Sequence, residues 1–213
     1  MARTFPTGIA MSKKALLPPS AGGDGTRRRI LEVALQLFAR DSFHGASIRD
    51  LARALELQPS ALYAHFPSKE HLLAELVRVG HEVHLESVRG ALLSSGSDPV
   101  DQIAAIVRAH AGFHAGYPHL AIVVNEELHA LPAELAAPAV ALRGQATALM
   151  VEVVQRGVDQ GRFLPTHTAA AAAAIGAMGL RIPYWHDPSS GLDGAGLAEV
   201  QVQLVLRMLG VAA

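Results

Sequence analysis

Residues 47–69 read SIRDLARALELQPSALYAHFPSK, and this stretch decides the fold. Its first half predicts a helix, because Ser47 and Asp50 form a Ser-x-x-Asp capping box and the apolar residues that follow recur on one helix face. After a short turn, Pro59 suits the first position of a second, shorter helix, since its missing N–H would have no partner there. A helix of about eight residues, a tight turn and a short second helix together predict a helix-turn-helix.

The second helix of such a unit lies in the major groove of DNA, with its first residues at the base edges. Gln58 and Ser60 carry groups that can hydrogen-bond to bases. Pro59 and Ala61 are small enough to approach closely and can contact a thymine methyl group. A second explanation stays open for Gln58 and Ser60, because a capping role accounts for both equally well.

Groups that could hold phosphates surround this surface. Tyr63, His65 and Lys69 lie at or beyond the end of the second helix, and the amide end of the first helix lies at Ser47. The alternative is a plain helical bundle in which these side chains are only surface. The candidate DNA-binding residues are Ser47, Gln58, Pro59, Ser60, Ala61, Tyr63, His65 and Lys69.

Three segments carry a resemblance to a known family: Leu51-Ala52-Arg53, ALYAHFPSKE at 61–70 and RILEVALQLFA at 29–39. Together they resemble the tetracycline-repressor (TetR) family over about residues 26–75. Ser42 and Glu56 depart from the family pattern, which usually has glycine at both positions. Glu56 lies in the turn between the two helices, where we expect a mildly strained left-handed conformation.

The resemblance implies a DNA-binding transcriptional repressor that a small-molecule effector releases from a palindromic operator. It also implies a homodimer, in which the last two helices, here about 167–185 and 196–210, form a four-helix interface with the partner. Two heads would then read double-stranded DNA at half-sites about 34–36 Å apart. The apolar stripe that suits this interface comprises Leu197, Val200, Leu204, Val205 and Met208. No cofactor is implied.

Helical periodicity continues beyond the head, and no segment of useful length alternates as a strand would. We therefore predict an all-α protein of about nine helices, with a three-helix helix-turn-helix head on a helical bundle. The expected domains are a disordered tail (1–24), a DNA-binding domain (25–70) and a domain for ligand binding and dimerisation (71–213).

Composition narrows the class of protein. Half of the residues are hydrophobic and 17% are charged, which excludes a disordered chain for most of the length. Cysteine is absent, which rules out disulfides and thiolate metal sites. Residues 1–80 hold 11 Lys and Arg against 7 Asp and Glu, and the rest hold 7 against 12, as a basic DNA-binding head on an acidic body would. No signal peptide or membrane span is evident, so we expect a cytoplasmic protein.

Residues 182–192, IPYWHDPSSGL, resemble a feature of one branch of the family. That branch includes regulators of fatty-acid and steroid catabolism that respond to acyl-CoA thioesters. The resemblance implies an acyl-CoA or similar apolar metabolite as the effector. The candidate ligand-binding residues are Phe113, Val123, Arg143, Met150, Met178, Tyr184 and Trp185, and an ordinary core or surface role stays open for each.

The 11 histidines leave a metal effector open as an alternative. Three pairs of potential ligands have i, i+3 or i, i+4 spacing, so each pair shares a helix face and could bind zinc together with the others. The pairs are His81 with His84, His110 with His114, and Glu126 with His129. Such pairs also arise by chance in a chain rich in histidine.

Enzymes and adaptors are two further classes. The chain has no Gly-rich phosphate loop, no G-x-S-x-G motif and no H-E-x-x-H motif, so we expect no enzymatic activity. A helical adaptor that does not bind DNA is the remaining alternative. Binding to DNA at low salt, where phosphate contacts are strongest, distinguishes a DNA-binding regulator from such an adaptor.

Overall fold

Helices make up all the regular secondary structure in the part of the chain that the structure describes. This computed structural model describes residues 16–19, 21, 23, 25–164 and 167–211. The helices are α1 (Gly25–Gly45), α2 (Ile48–Leu55), α3 (Pro59–Tyr63), α4 (Lys69–Ser94), α5 (Pro99–Gly116), α6 (Pro118–Glu126), α7 (Ala133–Asp159), α8 (Thr168–Trp185) and α9 (Gly194–Met208). The prediction of an all-α fold with about nine helices is confirmed. Within the described ranges, no helix is long and apolar enough to cross a membrane.

The first of two compact units comprises the described residues up to Val83 together with Tyr117–Ala141, and it contains the predicted DNA-binding head. Helix α1 packs on α2 and α6, and α2 packs on α3. A Cβ atom at Gly80 would lie 2.4 Å from Cγ1 of Val124, so α4 and α6 approach closely because this residue is glycine. The largest buried side chains of α1 and α2 are Ile30, Leu31, Leu35, Phe38, Leu51 and Leu55.

The second unit comprises His84–Gly116 and the described residues from Leu142 onward. Helix α5 packs on both α8 and α9, and α7 contributes to the same hydrophobic core. The core includes Ile103, Ile106, Val107, Val153, Val154, Ile175, Val202 and Val205. The central position of α5 follows from its composition, since most of its residues are apolar or buried.

Helix α9 divides its predicted apolar stripe between two environments. Leu197 and Val205 are buried within their own chain. Val200, Leu204 and Met208, at i, i+4 and i+8, are exposed and form a ridge on another side of the helix. The prediction that all five residues suit a partner is therefore wrong for Leu197 and Val205, because the inner face of α9 packs on α5.

Two non-glycine residues have a positive φ angle among the described residues, and both are positions where the sequence departs from the glycine pattern. Glu56 is left-handed (φ 58°, ψ 36°), as expected. Ser42 has φ 65° and ψ 165° at a break in the helical geometry of α1. That second region is nearly exclusive to glycine, so Ser42 is the more strained of the two.

The predicted disordered tail, 1–24, lies mostly outside the described residues. Its described part packs on α1. Leu17 is fully buried, and the Arg28 guanidinium donates to the carbonyl oxygens of Leu17, Pro18 and Ala21 over 2.6–3.0 Å. Helix α1 therefore holds this short stretch through Arg28 in its first turn.

Candidate DNA-binding and effector sites

The capping box at the start of α2 is present as predicted. The Ser47 hydroxyl accepts from the Asp50 amide at 3.1 Å, and the Ser47 amide donates to the Asp50 carboxylate at 3.2 Å. The same hydroxyl donates to Oδ2 of Asp50 at 2.5 Å, and Arg53 donates to Oδ1 at 3.0 Å. The Ser47 hydroxyl, followed by the Ser47 amide and Arg53, holds the pKa of Asp50 below its ordinary value. Asp50 thus occupies both polar groups of Ser47 that could have held a phosphate.

Glu56 closes α2 in a Schellman motif. Its amide donates to the carbonyl of Arg53 at 3.2 Å, and the Leu57 amide donates to the carbonyl of Ala52 at 2.9 Å. This pair of bonds requires a left-handed residue at Glu56, the position that glycine usually fills. The turn between α2 and α3 is therefore formed without glycine, at a cost in backbone strain.

The start of α3 presents its polar side chains to solvent. Gln58 is the N-cap residue by its backbone (φ −77°, ψ 145°), but its side chain makes no capping hydrogen bond. Gln58 and Ser60 are exposed, and Pro59 takes the first helical position. Leu62 is buried, which fixes the opposite side of α3 against the first unit.

The candidate phosphate contacts differ in how far they are already engaged. Tyr63 is 51% exposed and His65 is exposed beyond the end of α3. The Lys69 ammonium instead donates to the carbonyl oxygens of Phe43 (2.8 Å) and Ala46 (2.9 Å). Lys69 therefore joins the start of α4 to the last turn of α1.

Arg49 is a further candidate phosphate contact that the sequence pattern did not single out, and it is exposed in the first turn of α2. It makes no ion pair with any described residue, whereas Arg53 bonds to Asp50 and Arg40 to Asp41. A cation at a helix N-terminus is unfavourable toward the helix dipole, and a bound anion would offset this. That electrostatic mismatch is the signal by which the sequence could have identified Arg49.

Comparison with known proteins agrees with this geometry. Residues 30–76 match the family described as bacterial regulatory proteins, tetR family. Residues 96–209, more than half of the chain, match the tetracyclin repressor-like C-terminal domain. The chain belongs to the tetR family. The regulator is accordingly a DNA-binding transcriptional repressor with a ligand-binding domain, and it is not an enzyme.

Two solved structures and one curated protein illustrate the similarity. The HTH-type transcriptional repressor KstR2 of Rhodococcus jostii (strain RHA1) is 29% identical over 153 residues, which are 70% of this chain and 74% of KstR2. A tetR-family regulatory protein from Rhodococcus RHA1 is 29% identical with a TM-score of 0.81, over 87% of this chain and 97% of that one. AibR in complex with isovaleryl coenzyme A and operator DNA is 25% identical with a TM-score of 0.76, over 83% and 96%.

The structure does not gather the seven candidate ligand-binding residues around one cavity. Val123 is fully buried in the first unit, and the other six belong to the second. Met150 is core and Met178 packs against that core, Arg143 and Trp185 are exposed, and Tyr184 carries the Arg181 guanidinium on its ring at 4.4 Å. A cavity of about 400 Å³ in the first unit is lined by none of the seven.

Three histidines of the second unit form a hydrogen-bonded cluster beside Phe113. His110 Nε2 lies 3.0 Å from the carbonyl oxygen of Gly176, and His84 Nε2 lies 2.8 Å from His110 Nδ1. Because a carbonyl only accepts, His110 carries its proton on Nε2, and His84 donates to Nδ1. Burial lowers the pKa of His110 and so favours this neutral form. The third member, His114, donates from Nδ1 to the carbonyl of His110 at 2.8 Å.

The described residues give the zinc alternative no support. Within the part of the chain that the structure describes, no three His, Asp or Glu side chains are arranged to hold a metal ion. Four of the six ring nitrogens of the cluster bond to one another or to backbone carbonyls.

Proposed function

We propose that the regulator is a homodimer that reads a palindromic operator with α3 and is released by an acyl-CoA or similar apolar metabolite. The geometry of Gln58 is the observation that supports DNA recognition by α3. Its backbone caps α3 while its exposed side-chain amide caps nothing, so the amide is available for a base. A glutamine amide can bond to adenine through two hydrogen bonds in the major groove. Ser60 offers a hydroxyl beside it, and Pro59 and Ala61 allow close approach.

Phosphate contacts on either side of α3 would orient the head on the duplex. Arg49, at the amino end of α2, supplies a full positive charge. Tyr63 and His65 supply exposed donors at the end of α3. Ser47 and Lys69 act mainly as supports in this proposal, because Asp50 and the last turn of α1 already engage their polar groups.

The proposed dimer joins α8 and α9 of two copies. The exposed ridge of α9, Val200, Leu204 and Met208, is apolar along three turns. On α8, exposed alanines at 170, 173, 174 and 177 recur on one face and would let a partner helix approach closely. Burying both surfaces against a second copy removes apolar area from water, which favours association.

The proposed effector class rests on chemistry and similarity together. AibR, a structural neighbour at 25% identity, binds isovaleryl coenzyme A. In this chain, Phe113 and the histidine cluster provide ring surfaces around α5. A regulator that binds operator DNA acts where the chromosome is, so we assign it to the cytoplasm.

Fluorescence anisotropy tests the DNA-binding part. The DNA is the region upstream of the regulator's own gene, with a random duplex of equal length as the reference. We expect Gln58→Ala to weaken operator binding more than random binding. Arg49→Ala should weaken both and reduce the salt slope by about 1. Absence of binding to either duplex at low salt would favour a helical adaptor that does not bind DNA.

Native mass spectrometry of freshly purified protein tests the effector class. We expect a bound species with the mass of an acyl-CoA, and isovaleryl-CoA should lower operator affinity more than CoA alone. An effector must prefer the released state to shift the equilibrium, so binding without any change in DNA affinity would contradict this assignment.

A further inference from the structure

Arg27, near the start of α1, contacts three groups of the head at once, two between α3 and α4 and one on α4. Its Nη1 donates to the carbonyl oxygen of His65 at 3.2 Å, just beyond the end of α3. Its Nη2 lies 3.1 Å from the carboxylate of Glu75 on α4. Its Cζ atom lies 4.3 Å from the centre of the Phe66 ring. Both terminal nitrogens and one face of a single guanidinium are therefore in use.

We propose that Arg27 is a positioning residue for operator recognition, which holds the end of α3 against α4 and so sets the angle at which α3 enters the groove. This inference rests on the proposed function, because it assumes that α3 reads the operator. Arg27 itself touches no base in this proposal.

Helix α3 needs such a support because it is only five residues long. A helix of that length does not persist on its own, since so few hydrogen bonds cannot offset the cost of ordering the backbone. After α3, the amides of His65 and Phe66 both return to the carbonyl of Leu62. Just beyond this turn, Arg27 donates to the carbonyl of His65.

Glu75 connects Arg27 to the length of α4. Its carboxylate also accepts from Arg78 Nε at 3.1 Å, and Arg78 pairs with Glu82 at 2.7 Å one turn further on. Burial would raise the pKa of Glu75, but the bonds from Arg78 and Arg27 outweigh burial and hold it below the ordinary value. A movement of this part of α4 would therefore be transmitted to the end of α3 through one charged side chain.

The pairing with Glu75 separates this role from phosphate binding. A guanidinium that already faces a carboxylate releases few counterions when DNA binds, whereas Arg49 has no such pair among the described residues. Lysine is a poorer fit at Arg27, because its ammonium is a compact point charge and lacks the planar guanidinium whose separated nitrogens reach His65 and Glu75 while its face lies on the Phe66 ring.

The experiment compares Arg27→Lys with Arg40→Lys, a matched change at the other end of α1 where the arginine pairs with its neighbour Asp41. Operator and random-duplex dissociation constants are measured across salt concentrations, at a temperature where both variants are folded by circular dichroism. We expect Arg27→Lys to lower the ratio of operator to random affinity by about tenfold, on the scale of one lost base contact. The salt slope should stay unchanged, and Arg40→Lys should leave both quantities at the wild-type value.

Two further variants sharpen the test. Glu75→Gln should lower the same ratio, and the double variant with Arg27→Lys should lose less than the two single losses combined, because both act on one contact. Equal weakening of operator and random binding, with a salt slope reduced by about 1, would make Arg27 a phosphate ligand and overturn the proposal. An unchanged ratio would overturn it as well.

Hydrogen exchange gives a readout that does not depend on DNA. In Arg27→Lys, the peptide covering 62–68 should exchange faster than in Arg40→Lys, while the peptide covering α2 should not change. Equal exchange in the two variants would overturn the positioning role even if the wild type binds DNA. Conversely, Arg27→Lys could raise exchange over 62–68 although the wild type binds no DNA. That result would support the contacts of Arg27 with His65 and Glu75 and would refute the proposed function instead.

Discussion

The ammonium of Lys69 lies 2.8 Å from the carbonyl oxygen of Phe43 and 4.1 Å from the centre of the same residue's ring. One cation therefore donates hydrogen bonds to carbonyl oxygens at the end of α1, interacts favourably with the negative end of the helix dipole and packs on an aromatic face. We predict that Lys69→Met lowers the free energy of unfolding by about 1–3 kcal/mol, because it leaves carbonyls of Phe43 and Ala46 without this donor. Urea denaturation measures the change. If Lys69→Met is as stable as the wild type but binds random DNA more weakly, Lys69 binds DNA phosphates instead of stabilising α1.

Ser42 and Glu56 adopt backbone conformations that favour glycine. We predict that Ser42→Gly and Glu56→Gly each raise the free energy of unfolding, by about 1 kcal/mol, with the larger gain at Ser42. Alanine at either position is the control, since it keeps the Cβ atom and should give no gain. The midpoint of urea denaturation measures all four variants. A gain from alanine as large as that from glycine would mean that side-chain contacts, not strain, decide stability there.

Gly179 on α8 lies directly against His110 on α5. A Cβ atom at this position would be 2.1 Å from His110 Nε2, whereas one at Gly176 would meet nothing within 4 Å. We predict that Gly179→Ala lowers the melting temperature, with a loss of about 1–3 kcal/mol from overpacking. Gly176→Ala should be neutral or slightly stabilising, because alanine favours helix. Equal melting temperatures for the two variants would contradict the packing described for His110.

The stability of the second unit should fall with acidification. Burial lowers the pKa of His110 below its ordinary 6.5, so the unfolded state binds this proton more readily than the folded state. The stability that comes from keeping His110 neutral in the folded state is fully present well above pH 6.5, and it is lost as the pH falls through and below that value. Protonation of His110 at Nδ1 would also place it against the proton that His84 donates, while His114 remains on the His110 carbonyl.

Thermal melts at pH 8 and pH 5.5 measure this effect. We predict that the melting temperature of the wild type drops at pH 5.5 and that His110→Gln drops less. Some dependence of the melting temperature on pH should remain in His110→Gln, since burial also lowers the pKa of His119 in the first unit. His129→Gln, at an exposed histidine, is the control and should behave as the wild type does. A drop of the same size in His110→Gln would exclude His110 as its source.

Leu204 tests the proposed dimer. It is 49% exposed at the centre of the α9 ridge, and Leu93 on α4 is 87% exposed outside it. We predict that Leu204→Glu gives a monomer by sedimentation velocity and weakens operator binding, because a charge cannot be buried there without a partner. Leu93→Glu should leave the dimer intact. If Leu204→Glu stays dimeric, the interface lies elsewhere.

Local features of the head could be predicted from sequence because they depend on residues close together in the chain. The capping box at Ser47, the left-handed turn at Glu56 and the start of α3 at Pro59 each involve bonds within about five residues. Backbone sterics and short hydrogen bonds decide such features, whatever surrounds them. The helical content follows in the same way from periodicity.

Only the tertiary structure decided what the polar side chains bond to. Spacing placed His110 and His114 on one helix face, but it could not show that their nitrogens bond to His84 and to the backbone carbonyls of Gly176 and His110. The contacts of Arg27 with His65 and Glu75 span 38 and 48 residues, and no local pattern marks them.

Residues 47–69, the stretch that determines the fold, show what the sequence determines and what only the tertiary structure decides. The sequence alone determined that they form a helix-turn-helix and that Pro59 begins its second helix. The tertiary structure decided that Lys69 bonds to the end of α1, that the Gln58 side chain makes no capping bond, and that Arg27 bonds to the His65 carbonyl just beyond α3. The reason is physical: backbone geometry is a property of neighbouring residues, whereas a charged side chain bonds to whichever acceptor the packed helices bring within about 3 Å.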